Sequence, residues 1–592
     1  LTVQKASEQH ICLQLPEYAG QTLTAENESA AQLQLPELNE WLAALRQCQQ
    51  ENILCFMDES VPQQAQSALL IIDRNNGCYL QRQWSFEYSI IKNLLARAGE
   101  LLDLPELKAG FLHSLTSFFK PKAEHEALDC QQLAVMAAMR RKLTVISGGP
   151  GTGKTTVAAA VLAVKLAQNP NLRIKLAAPT AKAAVRLLQS LKNNIDKLSS
   201  SAEIKAKLNS LESSTIHTLL GVRWNSNGFI YNSTNYLNCD LLLLDECSMV
   251  SQELMANTLE ALSPTAELIL LGDRYQLASV EAGAVMADIC DAAEPNYLDE
   301  KAAELFLDQT GWSVPAAGSC MLKNTPLAGA LIELKENHRF AKSAQILGEV
   351  ASIIRELDDS KDIPAAAKLI AGKSGTESEF ADLDENALKK LLKAKISEPR
   401  LADGESFKEL PRLAATGSEE DRQKAFALMD KLKILAPAYD GVRGIDNLNK
   451  IAMDILQLDN IYEPGAILLI KRNDYRINLV NGDIGLVGKD AQGNIKVFFA
   501  DKLHPYDISD LPEHDAVFAM SVHKSQGSGF GETIFVMPEK MTELMTREMV
   551  YTAMTRAENK LCCIGSEEIF AQALANATTR MSNLAKRLQT CR

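Results

Sequence analysis

Residues 143 to 156, Leu-Thr-Val-Ile-Ser-Gly-Gly-Pro-Gly-Thr-Gly-Lys-Thr-Thr, restrict the possible folds more than any other stretch. The apolar, β-branched run Leu143 to Ile146 predicts a buried strand. Gly148, Gly149, Pro150, Gly151, Thr152, Gly153, Lys154 and Thr155 fit G-x-x-x-x-G-K-[ST], and the alanine-rich stretch from Val157 to Ala167 predicts a helix. Strand, glycine loop and helix in that order form the setting a phosphate-binding loop requires. Glycines let backbone N–H groups curl round an anion, where a Cβ would block the turn. The helix N-terminus adds partial positive charge. Lys154 is expected to reach the β- and γ-phosphates of a nucleotide, the Thr155 hydroxyl to hold Mg²⁺, and Thr156 to complete the cradle. Such a loop belongs to an α/β fold.

Two more strands end in polar residues. The leucine run from Asp240 to Leu244 closes on Asp245 and Glu246. Acids at the C-terminal end of an apolar strand sit where ligands bind in an open α/β sheet. Asp245 is expected to hold Mg²⁺ through water, and Glu246 to act as base for an attacking water. The run Glu267 to Leu271 leads into Gly272-Asp273-Arg274-Tyr275-Gln276. After the acid pair, Gln276 reads as a sensor of the γ-phosphate; alone, the segment reads as a turn. Upstream, Gln132 precedes an apolar helix, and its amide suits the hydrogen-bonding edge of adenine or an exposed helix cap equally well.

The chain has 592 residues and a formal net charge of −14, so a nucleic-acid partner would need a local basic or polar groove. Twelve cysteines are scattered without a C-x-x-C, which predicts reduced core thiols in a cytoplasmic protein. With no apolar run of membrane-spanning length and no basic-then-apolar leader, neither a membrane span nor a signal segment is expected. The first residue is Leu1, so the natural start is expected further upstream.

Residues 1 to about 105 read as a small α+β unit, with strands near 67–73 and 78–80 and helices over 38–48 and 88–103. Residues 174 to 191 read strand, loop, helix, with Thr180 and Lys182 at the helix start. There they either dock a backbone phosphate or, for Thr180, simply cap the helix. Ser214 to His217 opens a short helix, and His217 alone reads as structural. A hairpin is predicted from 222–224 and 229–231; its tip is a wedge at a strand junction or only a turn. Residues 291 to 332 read as irregular, and 343 to 430 as mainly helical. A second α/β set begins at Leu432, a small β-barrel is expected over 466–500, and a helix presents Arg556.

These segments, in this order, resemble superfamily 1 helicases, and more closely the RecD family of helicase subunits, from about residue 10 onward. The specific stretches are 148–156, Leu271 to Val285, Asn481 to Gly485, His523 to Ser528 and Val550 to Ala557. The resemblance implies two RecA-like P-loop motor domains, 106–335 and 336–592. It also implies a small SH3-like β-barrel insert at about 463–510 and an N-terminal partner-docking α+β domain, 1–105. It implies ATP with Mg²⁺ between the motors, Arg339 and Arg556 as arginine fingers, and single-stranded DNA across both. Thr180, Lys182, Thr215, His217, Asn481, Ser521, His523 and Lys524 are the positions that match DNA contacts. It further implies 5′-to-3′ movement from a 5′ single strand or duplex end, and assembly with RecB-like and RecC-like subunits in a heterotrimer for break repair and recombination. The hairpin at 222–231 matches an insertion near the duplex junction in relatives. No acidic cluster has nuclease spacing, so nuclease activity would belong to a partner. A nucleotide-binding regulatory subunit without motor activity and a free-standing helicase are the competing functions. Gly529 stands where relatives carry an acid expected near the ribose, Ala181 replaces a loop glycine, Tyr275 and Cys247 differ from the common pattern, and Ser521 keeps the hydroxyl of a usual threonine.

Overall fold

The computed structural model describes residues 1–23, 33–49, 53–57, 68–103, 129–195, 201–223, 228–310, 313–315, 325–336, 345–357, 363–372, 378–474, 476–500 and 502–590. Arg339 and the hairpin tip at 225–227 lie outside them. No helix among these residues is long and apolar enough to cross a membrane.

The loop-bearing strand Leu143–Gly148 lies inside a six-stranded, wholly parallel sheet. Its order is Leu331–Leu334, Leu143–Gly148, Glu267–Gly272, Leu241–Leu244, Ile174–Ala178, Ser213–Thr215. Parallel strands covered on both faces must be apolar throughout, which explains the unbroken leucines. Leu241 and Leu243 pack into one core with the helices Cys130–Arg140 and Lys154–Gln168. Leu242 and Leu244 pack into the opposite core with the helices Gln81–Ala98 and Gln252–Ala261. The helix Gln81–Ala98, read as part of the N-terminal unit, therefore covers the sheet of the next one.

A second parallel sheet comes next, in the order Ser378–Ala381, Ala557–Ile564, Phe530–Val536, Leu432–Ala436, Ala519–Ser521. The chain leaves it to build a four-stranded antiparallel sheet in the order Ile495–Phe499, Ile484–Lys489, Ile467–Ile470, His514–Ala516. The strand His514–Ala516 extends this insert beyond the 466–500 expected for it. Three further elements depart from expectation. Helix Glu300–Thr310 and edge strand Leu331–Leu334 lie in and beside a region read as irregular. Strand Ser378–Ala381 interrupts the mainly helical stretch. Of the hairpin, the described residues keep a bridge between Val222 and Phe229.

The N-terminal residues form a mixed sheet in the order Cys12–Gln14, Gly77–Leu80, Leu70–Asp73, Leu54–Met57. The C-terminal segment returns to it: Ile11 N donates to Met581 O at 2.9 Å, and the helix Leu584–Thr590 carries Arg587 into a buried polar cluster. There Arg587 donates to Glu87 Oε1 at 2.8 Å, and Tyr79 O–H donates to the same oxygen at 3.0 Å. Burial pushes the Glu87 carboxyl up, and the arginine opposes that shift. Arg587→Ala leaves an unpaired buried acid and is expected to lower stability by about 3–5 kcal/mol. Urea unfolding checks this, and an unchanged midpoint would show the pair to be dispensable.

Candidate nucleotide and DNA site

The phosphate loop owes its shape to its glycines. Gly153 closes it at φ +88°, a left-handed conformation that L side chains rarely adopt. A Cβ on Gly149 would stand 2.8 Å from the hydroxyl of Tyr551 on the helix Arg547–Met554, so the loop lies this close to that side chain because it has none. Thr152 Oγ1 donates to Gly149 O at 2.9 Å. Lys154 Nζ folds back onto the loop, donating to the carbonyl oxygens of Gly148 and of Gly149, the latter at 3.2 Å.

A cleft of about 340 Å³ opens over the loop. The six-stranded unit lines it with Gly149 to Gly151, Gly153 to Thr156, Asp245, Glu246 and Gln276. The five-stranded unit lines the opposite side with Gly527, Ser528, Thr555 and Arg556. A second chamber of about 510 Å³ adjoins it, and the two share Gly149, Pro150 and Thr555. The predicted loop, acids, glutamine and one arginine are thus brought together, from residues up to about four hundred positions apart in the chain.

Asp245 Oδ1 accepts from Glu246 N at 2.8 Å, and Glu246 itself is in the left-handed region at φ +53°. That turn aims two adjacent carboxylates off one strand end. Withdrawal from solvent raises the Asp245 carboxyl, Glu246 raises it further, and Lys154 pulls it down. Neither acid has a salt-bridge partner among the described residues, so the pair suits a cation. Arg556 is buried. Its Nε donates to Thr552 O at 3.1 Å and its Nη1 to Ser528 O at 3.0 Å, which sets the guanidinium at the cleft wall.

Asp273, which reads as part of a turn in the sequence, is the hub of this wall. It accepts from Gln276 Nε2 at 2.9 Å, Tyr275 N at 3.1 Å and Tyr551 O–H at 3.1 Å. Gln276 Oε1 stays buried without a partner among the described residues, which leaves an acceptor at the cleft wall. The position of Asp273, after an apolar strand just as Asp245 is, was the available signal for it. Three more hydrogen bonds join the units. Thr552 Oγ1 accepts from Leu277 N at 2.9 Å, Gln526 Nε2 donates to Leu277 O at 2.8 Å, and Arg186 Nη1 donates to Gly527 O at 2.7 Å.

Upstream, Gln131 rather than Gln132 touches the loop, donating to Thr152 O at 2.9 Å. Gln132 is buried, its Oε1 without a partner among the described residues. At Gly529 the room left by the missing side chain is taken by Glu558, whose Oε1 would lie 2.5 Å from an added Cβ.

None of the residues matched to DNA contacts lines the nucleotide cleft. Thr215 ends the edge strand and faces Ala178 in register, with Thr180 just before, and Lys182 in the first turn of, the helix Ala181–Ile195. Ser521 ends the edge strand of the second sheet, opposite Ala436. Thr180 and Thr215 do cap their helices, accepting from Ala183 N at 3.2 Å and Thr218 N at 3.1 Å. His217 packs its ring against Phe229 at 6.1 Å. Ser521 Oγ accepts from Lys524 N at 3.3 Å, and Asn481 N donates to Asn473 Oδ1 at 2.7 Å. Burial, aided by Arg580, lowers His523 below its ordinary value. The segment from Ser521 to Ser528 connects the DNA set to the nucleotide cleft.

Residues 131–282 match the AAA domain family, and residues 516–564 match the UvrD-like helicase C-terminal domain. The RecBCD enzyme subunit RecD of Haemophilus influenzae is 31% identical over 94% of this chain and 87% of its own length. The subunit of the same name from Mycobacterium tuberculosis is 33% identical, over 94% and 85%. The ATP-dependent RecD2 DNA helicase of Deinococcus radiodurans is 26% identical over 77% of this chain but 51% of its own length. A solved Pif1 helicase from Candida albicans aligns over 77% of this chain and 97% of that one at 14% identity, with a TM-score of 0.35 too low to carry any argument.

Proposed function

The chain belongs to the RecD family of ATP-hydrolysing, DNA-binding superfamily 1 helicase subunits, and on that premise we propose that it is a 5′-to-3′ motor within a heterotrimeric helicase–nuclease that processes double-strand breaks. In this reading residues 106–335 and 336–592 are the two RecA-like motors, the insert at about 463–510 is SH3-like, and residues 1–105 dock on RecB-like and RecC-like partners. The observation that carries the motor reading is the two-sided cleft, in which the phosphate loop and acids of one unit face Arg556 of the other. The subunit reading is favoured over a free-standing helicase by similarity, since the RecD subunits are 31% and 33% identical over 94% of this chain and the RecD2 helicase 26% identical over 77% of it.

ATP binding moves Lys154 from its own loop carbonyls onto the β- and γ-phosphates. Thr155 and Asp245 are the residues that would hold Mg²⁺, which when bound draws charge from the phosphates. Glu246 orients and deprotonates the attacking water. Gln276 offers that water its Oε1, which has no partner among the described residues, and so senses the γ-phosphate. Arg556 neutralises charge on the transferring phosphoryl group from across the cleft, so closure is coupled to catalysis, and Arg339 is the second arginine finger in this reading. The segment Ser521 to Ser528 transmits closure to the DNA, because Gln526 grips the backbone of Leu277 beside Gln276.

The test is unwinding by the chain, alone and with RecB-like and RecC-like subunits, of duplexes bearing a 5′ or a 3′ single-stranded tail. ATP-dependent unwinding confined to the 5′ tail is expected. Hydrolysis without unwinding of either tail, even with partners, would establish the regulatory-subunit alternative.

A further inference from the structure

We propose that Tyr439 is a base-stacking platform for the single strand, an additional DNA contact; the inference rests on the DNA path proposed above. The strand Leu432–Ala436 runs parallel to the edge strand Ala519–Ser521, with Ala436 opposite Ser521. The chain leaves both strands at the same sheet edge, so the turn 437–444 emerges beside the segment carrying Ser521, His523 and Lys524.

That turn is held firmly. Gly444 N donates to Gly441 O at 3.0 Å, Ile445 N to Ala438 O at 3.0 Å and Asp446 N to Tyr439 O at 3.2 Å. Gly441 takes φ +96°, and a Cβ on Gly444 would stand 2.3 Å from Tyr439 O, so the tight closure under the tyrosine demands glycine. The next helix, Ile445–Leu456, is pinned to the strand bearing Ser521. Asn449 Nδ2 donates to Ala519 O at 3.1 Å, and Asn449 Oδ1 accepts from Ala519 N at 2.8 Å. Tyr439 is therefore fixed in position relative to the matched DNA contacts.

Its ring nevertheless takes no place in the core and is 44% exposed. Lys524 Nζ lies 5.7 Å from the ring centroid. Tyr236 and Tyr462 are also exposed, but of these three Tyr439 alone has a cation against its ring among the described residues. An aromatic face beside a lysine meets both needs of a single strand, a surface for a base and a counter-charge for the neighbouring phosphate. Every base has a π-face, so such a contact tolerates any sequence, as a translocating motor requires. The overall charge of −14 makes local features of this kind necessary for DNA affinity.

The test measures binding of the full chain to a fluorescein-labelled oligothymidylate and to an abasic strand of equal length, each across a salt series. Tyr439→Ala is expected to weaken oligothymidylate binding roughly 5- to 150-fold, with little effect on the abasic strand, and Tyr439→Phe to restore it. Lys524→Ala is expected to weaken both strands and to reduce the salt slope by about 0.7. Wild-type binding by Tyr439→Ala alongside a defect in Lys524→Ala would overturn the stacking role and leave the DNA path standing. An equal loss on both strands for Tyr439→Ala would also overturn it. Wild-type binding by both variants would remove the DNA path and the inference with it.

Discussion

Lys154→Gln is expected to reduce DNA-stimulated ATP hydrolysis to background, a fall on the order of 10²–10³-fold or more. The side chain carries the positive charge nearest the loop carbonyls, and its ammonium is already placed over Gly148 and Gly149. Glutamine keeps the length and some hydrogen-bonding capacity but not the charge, and the β- and γ-phosphates need the charge. The fold should survive, because Lys154 is half-buried and bonds its own loop rather than a distant element. Assembly with partner subunits should survive too, since the N-terminal sheet proposed to dock them is organised round the separate cluster of Tyr79, Glu87 and Arg587. A steady-state assay with and without single-stranded DNA, paired with co-purification of the partners, checks both halves. A variant that still hydrolysed ATP at the normal rate would remove the phosphate-loop assignment.

The phosphate loop and the acid pair were legible because each comes directly after a strand buried on both faces. Such a strand cannot hide its apolar run, and the residues at its C-terminal end stand at a known edge of the sheet. Edge strands gave no such signal. Leu331–Leu334 sits in a stretch otherwise rich in Ala, Gly and Pro, and Ser378–Ala381 contains a single large apolar residue. Their pairing comes from the neighbours Leu143–Gly148 and Ala557–Ile564, far away in sequence. The helix Glu300–Thr310 was hidden for a different reason, having few buried residues to set a period, with Ala302 and Phe306 among them.

Within the site, the residues that escaped detection are those defined by contact between the two units. Tyr551 and Asp273 are 278 positions apart, and no local pattern encodes their hydrogen bond. Arg186 and Gln526 belong to the same class. The contact of Gln131 with the loop, which no sequence pattern singled out, is a matter of helical phase. Asp129 caps the helix Cys130–Arg140 by accepting from Gln131 N and Gln132 N. Successive residues then diverge by about 100°, so the Gln131 amide meets the loop while that of Gln132 points in another direction. Reading Asp129 as the cap would have fixed that phase.

Arg556→Ala is expected to lower the rate of ATP hydrolysis on the order of 10³-fold while changing nucleotide affinity far less. The distinction lies in where the charge is needed. Ground-state ATP is already held by the loop and Lys154, whereas charge redistributes over the γ-phosphoryl oxygens only as the bond breaks. A group supplied from the opposite sheet acts mainly in that closed arrangement, so its removal should appear in kcat rather than in binding. The structure adds a complication that the experiment must separate. Arg556 also donates to Thr552 O and Ser528 O, so truncation leaves both carbonyls short of a donor and loosens the cleft wall. Arg556→Lys addresses this by restoring a charge and a donor without the planar fork. If the catalytic role holds, the lysine variant stays slow although its wall is better supported. Single-turnover hydrolysis gives the chemical step, and binding of a non-hydrolysable ATP analogue gives the affinity. Equal losses in the two for Arg556→Ala would make the arginine a wall residue, and the finger would then have to come from elsewhere on the second unit.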